Sequence, residues 1–199
     1  LLDGLGTRYE IEHVYFKPFP SCRGTHAFIE GIQGLRAAHR FNANDVERVD
    51  LGGNALAING HDYKHYDNVL DAQMSVPFTA ALALLHGDVT AQMFLPQTMA
   101  QPELRTLVER IDARIDAECE SIYPARRSAV VSIALKDGRR LEQRVYDPKG
   151  ESDNPLSDAD LERKFTTNCE PVIGAARCAA LLNCVRGFEK LDGIGAIFG

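Results

Sequence analysis

Tryptophan is absent, methionine occurs three times, and no apolar run in the 199 residues approaches the roughly 18–20 that cross a bilayer. No membrane partner is expected. The opening LLDGLGTRYEIEH has neither the basic start nor the long apolar stretch of a secretory signal. Position 1 is Leu rather than Met, so the chain reads as starting in the middle of a longer protein. Cysteine is sparse: five residues, at 22, 119, 169, 178 and 184, with no CxxC pair. That pattern supplies no disulfide framework and no metal signature, and it fits a reducing, cytoplasmic setting with mostly buried thiols. Basic residues are too few for a nucleic-acid footprint, with 22 Lys and Arg against 28 Asp and Glu and a net charge of −6. Small anionic ligands stay open, because a local cluster of Lys, Arg and His can outweigh the global sign. No GxGxxG, P-loop, HExxH or GxSxG motif occurs.

What remains is ordinary for a globular chain: 45% hydrophobic and 25% charged residues, enough for a core without a disulfide or metal staple. YEIEHVYF at 9–16 alternates as a strand would, and Lys17-Pro18-Phe19-Pro20 stops it. Residues 21–39 carry a helical stripe of Ala27, Ile29, Ile32, Leu35 and Ala38. VERVDL at 46–51 reads as a strand and 52–74 as irregular. Ser75-Val76-Pro77 opens a helix that Gly87 ends, and Gln101-Pro102-Glu103 opens another. A strand is expected at 111–118, a hairpin at 128–146 around Asp137-Gly138, and a helix capped by Ser157 with Asp160. Residues 172–191 read as a last helix. This order predicts one α+β domain over residues 1–199, an antiparallel-rich sheet with helices packed on one face.

Three stretches could carry chemistry. In KPFPSCRGTH, Lys17 ends a strand, two prolines fix the exit, and Cys22, Arg23 and His26 open a helix. A helix start attracts anions and lowers a thiol pKa, so this corner could bind a carboxylate. The plainer alternative is a solvated Lys17, a small buried Cys22 and a satisfied core His26. The stretch 59–66, Asn-Gly-His-Asp-Tyr-Lys-His-Tyr, could hold acid–base groups or simply be a polar loop. Its spacing matches no metal signature. The stretch from Pro148 to Ser157 reads as turns before it reads as a phosphate cradle.

Four landmarks in this order resemble the second half of the MmgE/PrpD family: KPFPSCRGTH at 17–26, SVPFTAALALLHGD at 75–88, the Asp137-Gly138 hairpin, and GESDNPLSDADLERKF at 150–165. In the last block Asn154, Pro155, Leu156, Ser157, Lys164 and Phe165 match the family pattern, and Ser152 stands where many relatives carry Pro. The family includes 2-methylcitrate dehydratases, cis-aconitate decarboxylases and iminodisuccinate epimerases, none known to need a metal or organic cofactor. The resemblance implies a lid-like C-terminal domain that closes a site with a helical N-terminal domain missing from this chain, in a homodimeric full-length enzyme. It implies that this chain alone is inactive. It implies Lys17, Tyr63 and His26 as catalytic residues and Cys22 and Arg23 as substrate-binding ones, with Tyr66 the rival of Tyr63. The substrate would be a small polycarboxylate deprotonated α to a carboxylate, which needs a base, cations where charge develops and an acid for the leaving group. Lyase chemistry is expected before epimerisation, and KPFPSC departs from the Phe-Pro-Ala-Glu run of true 2-methylcitrate dehydratases. The rivals are an epimerase-like isomerase, a non-catalytic α+β binding or dimerisation module, and a thiol-dependent enzyme built on Cys22.

Overall fold

The computed structural model describes residues 4–191 together with 193 and 195. The chain divides into two compact units, Leu1–Pro155 and Leu156–Gly199. The first is built on a four-stranded sheet in the order β2-β1-β3-β4, with β1 Val46–Gly53, β2 Ile111–Ile115, β3 Ala129–Leu135 and β4 Arg140–Val145. β1 and β2 run parallel, while β1–β3 and β3–β4 are antiparallel. The α+β class read from the sequence is the observed one. Register places Leu51 opposite Val131 and Ile133 opposite Leu141, and β3 alternates buried and half-buried residues along its length. A sheet with one face packed and one open gives this pattern.

Helix α1, His26–Ala38, covers that face with Phe28, Ile29, Ile32 and Leu35 buried. A side chain at Gly31 would come within 2.7 Å of Val131, so the small residue lets the helix lie close on the strand. Short helices α2, Ala55–Ile58, and α3, Val69–Met74, follow β1, capped by the side chains of Asn54 and Asn68. They lie where an irregular stretch is expected, and single Asn caps nucleate each of them. Helix α4, Val76–His86, is buried on almost every side and packs against α1 and against α6, Pro102–Glu109. A helix apolar all round belongs inside the helical layer. Ser75 caps it, accepting from the Phe78 N–H at 3.2 Å. Helix α5 is Pro96–Met99 and α7 is Ala117–Ile122.

The structure corrects four boundaries. Residues 9–16 form no strand: Glu10–His13 is a 3-10 turn, and Tyr9, Ile11, Val14 and Phe16 are exposed. Alternation alone does not make a strand without a neighbour to pair with. Strand β2 stops at Ile115 because Asp116 caps α7, accepting from the Cys119 N–H at 3.0 Å. The stripe begun at 21 becomes α-helix only at His26, after a 3-10 turn at Arg23–Thr25. The last helix, expected at 172–191, runs only from Ala175 to Arg186. In the second unit α8 spans Asp158–Ile173 and α9 spans Ala175–Arg186, broken by Gly174 at φ 78°, a backbone only glycine adopts without strain. Ser157 and Asp160 cap α8 reciprocally, as expected. No helix among the described residues is long and apolar enough to cross a membrane. All five cysteines are free thiols.

Candidate active site

The segment 16–25 is held from both ends. The Phe16 N–H donates to the Gly150 carbonyl at 2.9 Å. Gly150 has φ 96°, and a Cβ there would lie 2.0 Å from the Phe16 oxygen, so glycine alone permits this approach. Phe19 is buried edge-on against the His26 ring, 5.2 Å between centroids. The Cys22 N–H donates to the Gln73 carbonyl at 2.9 Å, tying the segment to α3. Lys17 is exposed, and its Nζ folds back to donate to the Ser21 carbonyl at 3.2 Å.

The loop after α2 meets the same region. Tyr63 donates through its hydroxyl to the Asp71 carbonyl at 2.8 Å, its own carbonyl accepts from Ser75 Oγ at 2.7 Å, and the His61 carbonyl accepts from the Val76 N–H at 2.8 Å. Burial, then the charges of Asp71 and Cys22, push the Tyr63 phenol above its ordinary pKa. At neutral pH it is therefore a protonated donor rather than a base. Tyr66 points elsewhere, with its ring 4.4 Å from Phe78 and its hydroxyl on the Met99 carbonyl. Lys64 is drawn toward β2 by the Glu109 carbonyl and Asp112, and His65 pairs with Asp67 at the surface. The 59–66 stretch is thus divided between two places, and no group of three potential metal ligands forms among the described residues.

Arg23 and His26 turn inward. Arg23 is 6% exposed and engages all five N–H donors: Nε and Nη2 on Glu151, Nη2 also on the Pro148 carbonyl, Nη1 on the Lys149 carbonyl and on His26 Nδ1. No donor is left for a substrate carboxylate; Arg23 anchors the 148–151 turn instead. His26 is fully buried. A guanidinium only donates, so Nδ1 accepts and the ring proton sits on Nε2. Neither Lys17 nor His26 lines the adjoining cavity, and Cys22 precedes a 3-10 turn rather than an α-helix.

That cavity, of about 250 Å³, is lined by Cys22, Arg23, Asn54, His61, Arg127 and Ser128, with small or apolar residues between them. The sequence reading named Cys22 and Arg23, and His61 within the 59–66 stretch that could hold acid–base groups, but missed Asn54, Arg127 and Ser128. The available signal was the Arg126-Arg127-Ser128 run just before β3, where a charged pair abuts an apolar strand. Arg127 lies over the rings of Tyr15 and Tyr123, 6.0 and 5.9 Å from their centroids, and its Nε is 3.6 Å from Glu151.

Residues 19–190 match the MmgE/PrpD C-terminal domain. The chain belongs to this family. Relatives include the cis-aconitate decarboxylases of Mus musculus, 25% identical over 187 residues, and of Homo sapiens, 22% identical over 193 residues. In both alignments 91% of this chain is covered but only 38% of the relative, so the MmgE/PrpD chain described here spans about two fifths of their length.

Proposed function

We propose that this chain is the lid-like C-terminal part of a longer, cofactor-independent lyase that transfers a proton to or from the carbon α to a carboxylate of a small polycarboxylate. The observation that carries the reading is the cavity at Cys22, rich in hydrogen-bond donors, together with a Tyr63 phenol that keeps its proton and a Lys17 whose backbone is held next to Phe16. Similarity to cis-aconitate decarboxylases supports decarboxylation of a tricarboxylate ahead of dehydration or epimerisation. Lys17 supplies the mobile cation or base, Tyr63 the proton for the departing or rearranging group, and Cys22 a wall of the substrate pocket. Arg23 and His26 act behind it by holding the 148–151 turn and the start of α1. The exposed apolar side chains of Tyr9, Ile11, Val14 and Phe16, just before Lys17, favour a further segment of the enzyme packing there. In this reading a helical N-terminal domain covers them and completes the site, and the full protein is a cytoplasmic homodimer.

The test is turnover of cis-aconitate, 2-methylcitrate and iminodisuccinate, with products identified by NMR, for the longer protein and for this chain alone. Turnover of at least one acid by the longer protein and none by the chain is expected. Comparable turnover by the chain alone defeats the two-part site, and no turnover by either defeats the lyase reading.

A further inference from the structure

We infer that Arg127 and Asn54 form a subsite for a non-reacting carboxylate of the substrate, an assignment that rests on the polycarboxylate chemistry proposed above. Two arginines reach the cavity, and they differ in what they have left to give. Every donor of Arg23 is engaged by protein. Arg127 has only the 3.6 Å approach of its Nε to Glu151, and its two Nη nitrogens make no hydrogen bond to a described residue. Its guanidinium is nonetheless positioned, because Tyr15 and Tyr123 both lie against it. A planar, aromatic-backed fork with free Nη donors is the geometry that binds a carboxylate in two places.

Asn54 supplies the second contact. It is 4% exposed, and its Oδ1 accepts from the Ala57 N–H at 3.0 Å to cap α2. The cap fixes which end of the amide is oxygen, so the NH2 end is the one left over; it has no acceptor among the described residues. His61 and Ser128 extend the donor set. Among the described residues the buried His61 Nδ1 makes no hydrogen bond, and the Ser128 hydroxyl, beside the Cys119 thiol, has no partner of ordinary geometry. Among the described residues no Asp or Glu lines the cavity. Arg23 and Arg127 against Glu151 leave one net positive charge at its edge. At about 250 Å³ the space suits a small acid or one arm of it, below the roughly 300 Å³ where drug-sized pockets begin.

Calorimetric binding of tricarballylate, a saturated and unreactive tricarboxylate, to the full-length protein tests this alongside steady-state turnover. Asn54→Asp keeps the oxygen that caps α2 and replaces the donor by a negative charge. Arg127→Gln removes the cation, and Arg127→Lys restores charge without the fork. Arg127→Gln and Asn54→Asp should each weaken tricarballylate binding about tenfold or more and raise KM similarly, with kcat changed far less. Arg127→Lys should recover part of the loss. Binding retained in folded Arg127→Gln and Asn54→Asp overturns the subsite and leaves the lyase reading standing. Arg127-dependent binding without turnover of any polycarboxylate overturns the lyase reading and keeps the subsite. If the wild-type protein binds no tricarballylate, the subsite is wrong. Should Asn54→Asp not fold, the Arg127 pair decides alone.

Discussion

Replacing Lys17 by alanine in the full-length protein should lower kcat/KM by about 100- to 10,000-fold, the range a positioned acid–base group contributes. Stability should move by no more than about 0.5 kcal/mol, as for a surface substitution. The separation follows from where the side chain is. Lys17 lies at the surface, where its Nζ donates to the Ser21 carbonyl at 3.2 Å. Its backbone, in contrast, is held by the Phe16–Gly150 bond on one side and by Pro18 and Pro20 on the other. A stiff backbone under a mobile ammonium delivers the charge reproducibly, which a reacting geometry requires. Lys17→Arg should also be poor, since a guanidinium does not give up its proton. Denaturant midpoints and initial rates on the same preparations check both halves. Wild-type kcat/KM in Lys17→Ala removes it from the site.

Arg23→Met should do the opposite: unfold the protein first and harm catalysis as a consequence. The change strands the Glu151 carboxylate, His26 Nδ1 and the carbonyls of Pro148 and Lys149 together. Breaking a buried ion pair by removing one partner costs about 3–5 kcal/mol. Because Gly150 sits in the freed turn and holds Phe16, Lys17 would lose its fixed position as well. Adding Glu151→Gln to Arg23→Met should recover part of the stability, since the stranded charge is then gone. Urea unfolding of the single and double variants measures this. Unchanged stability with a large rise in KM would instead make Arg23 a direct substrate ligand.

The elements most legible in the sequence were those whose local chemistry agrees with their burial. The hairpin at Asp137-Gly138, α4 between Ser75 and Gly87, and the Ser157–Asp160 cap each carry their own start and stop, and they formed where expected. The 9–16 segment failed because alternation reports a strand only when a partner exists to pair with it. Gly174 falls inside the helix expected at 172–191, where a single glycine is tolerated, whereas its φ of 78° separates α8 from α9. For the site, the segment around Lys17 and Cys22 was visible because prolines and polar residues crowd together in sequence. Asn54 and Arg127 were not, because separate loops bring them to one cavity with His61 and no spacing encodes that. The inward turn of Arg23 was hidden for the same reason: its partner Glu151 lies 128 residues away.

The central claim is proton transfer at a carbon next to a carboxylate, and solvent isotope incorporation reads it directly. The full-length protein is incubated with cis-aconitate or another polycarboxylate it turns over in deuterated water, and product and recovered substrate are examined by NMR. The account predicts deuterium at the carbon α to a carboxylate, lost to near background in Lys17→Ala and reduced in Tyr63→Phe. Turnover that leaves those carbons free of deuterium, or exchange that persists undiminished in both variants, would contradict it.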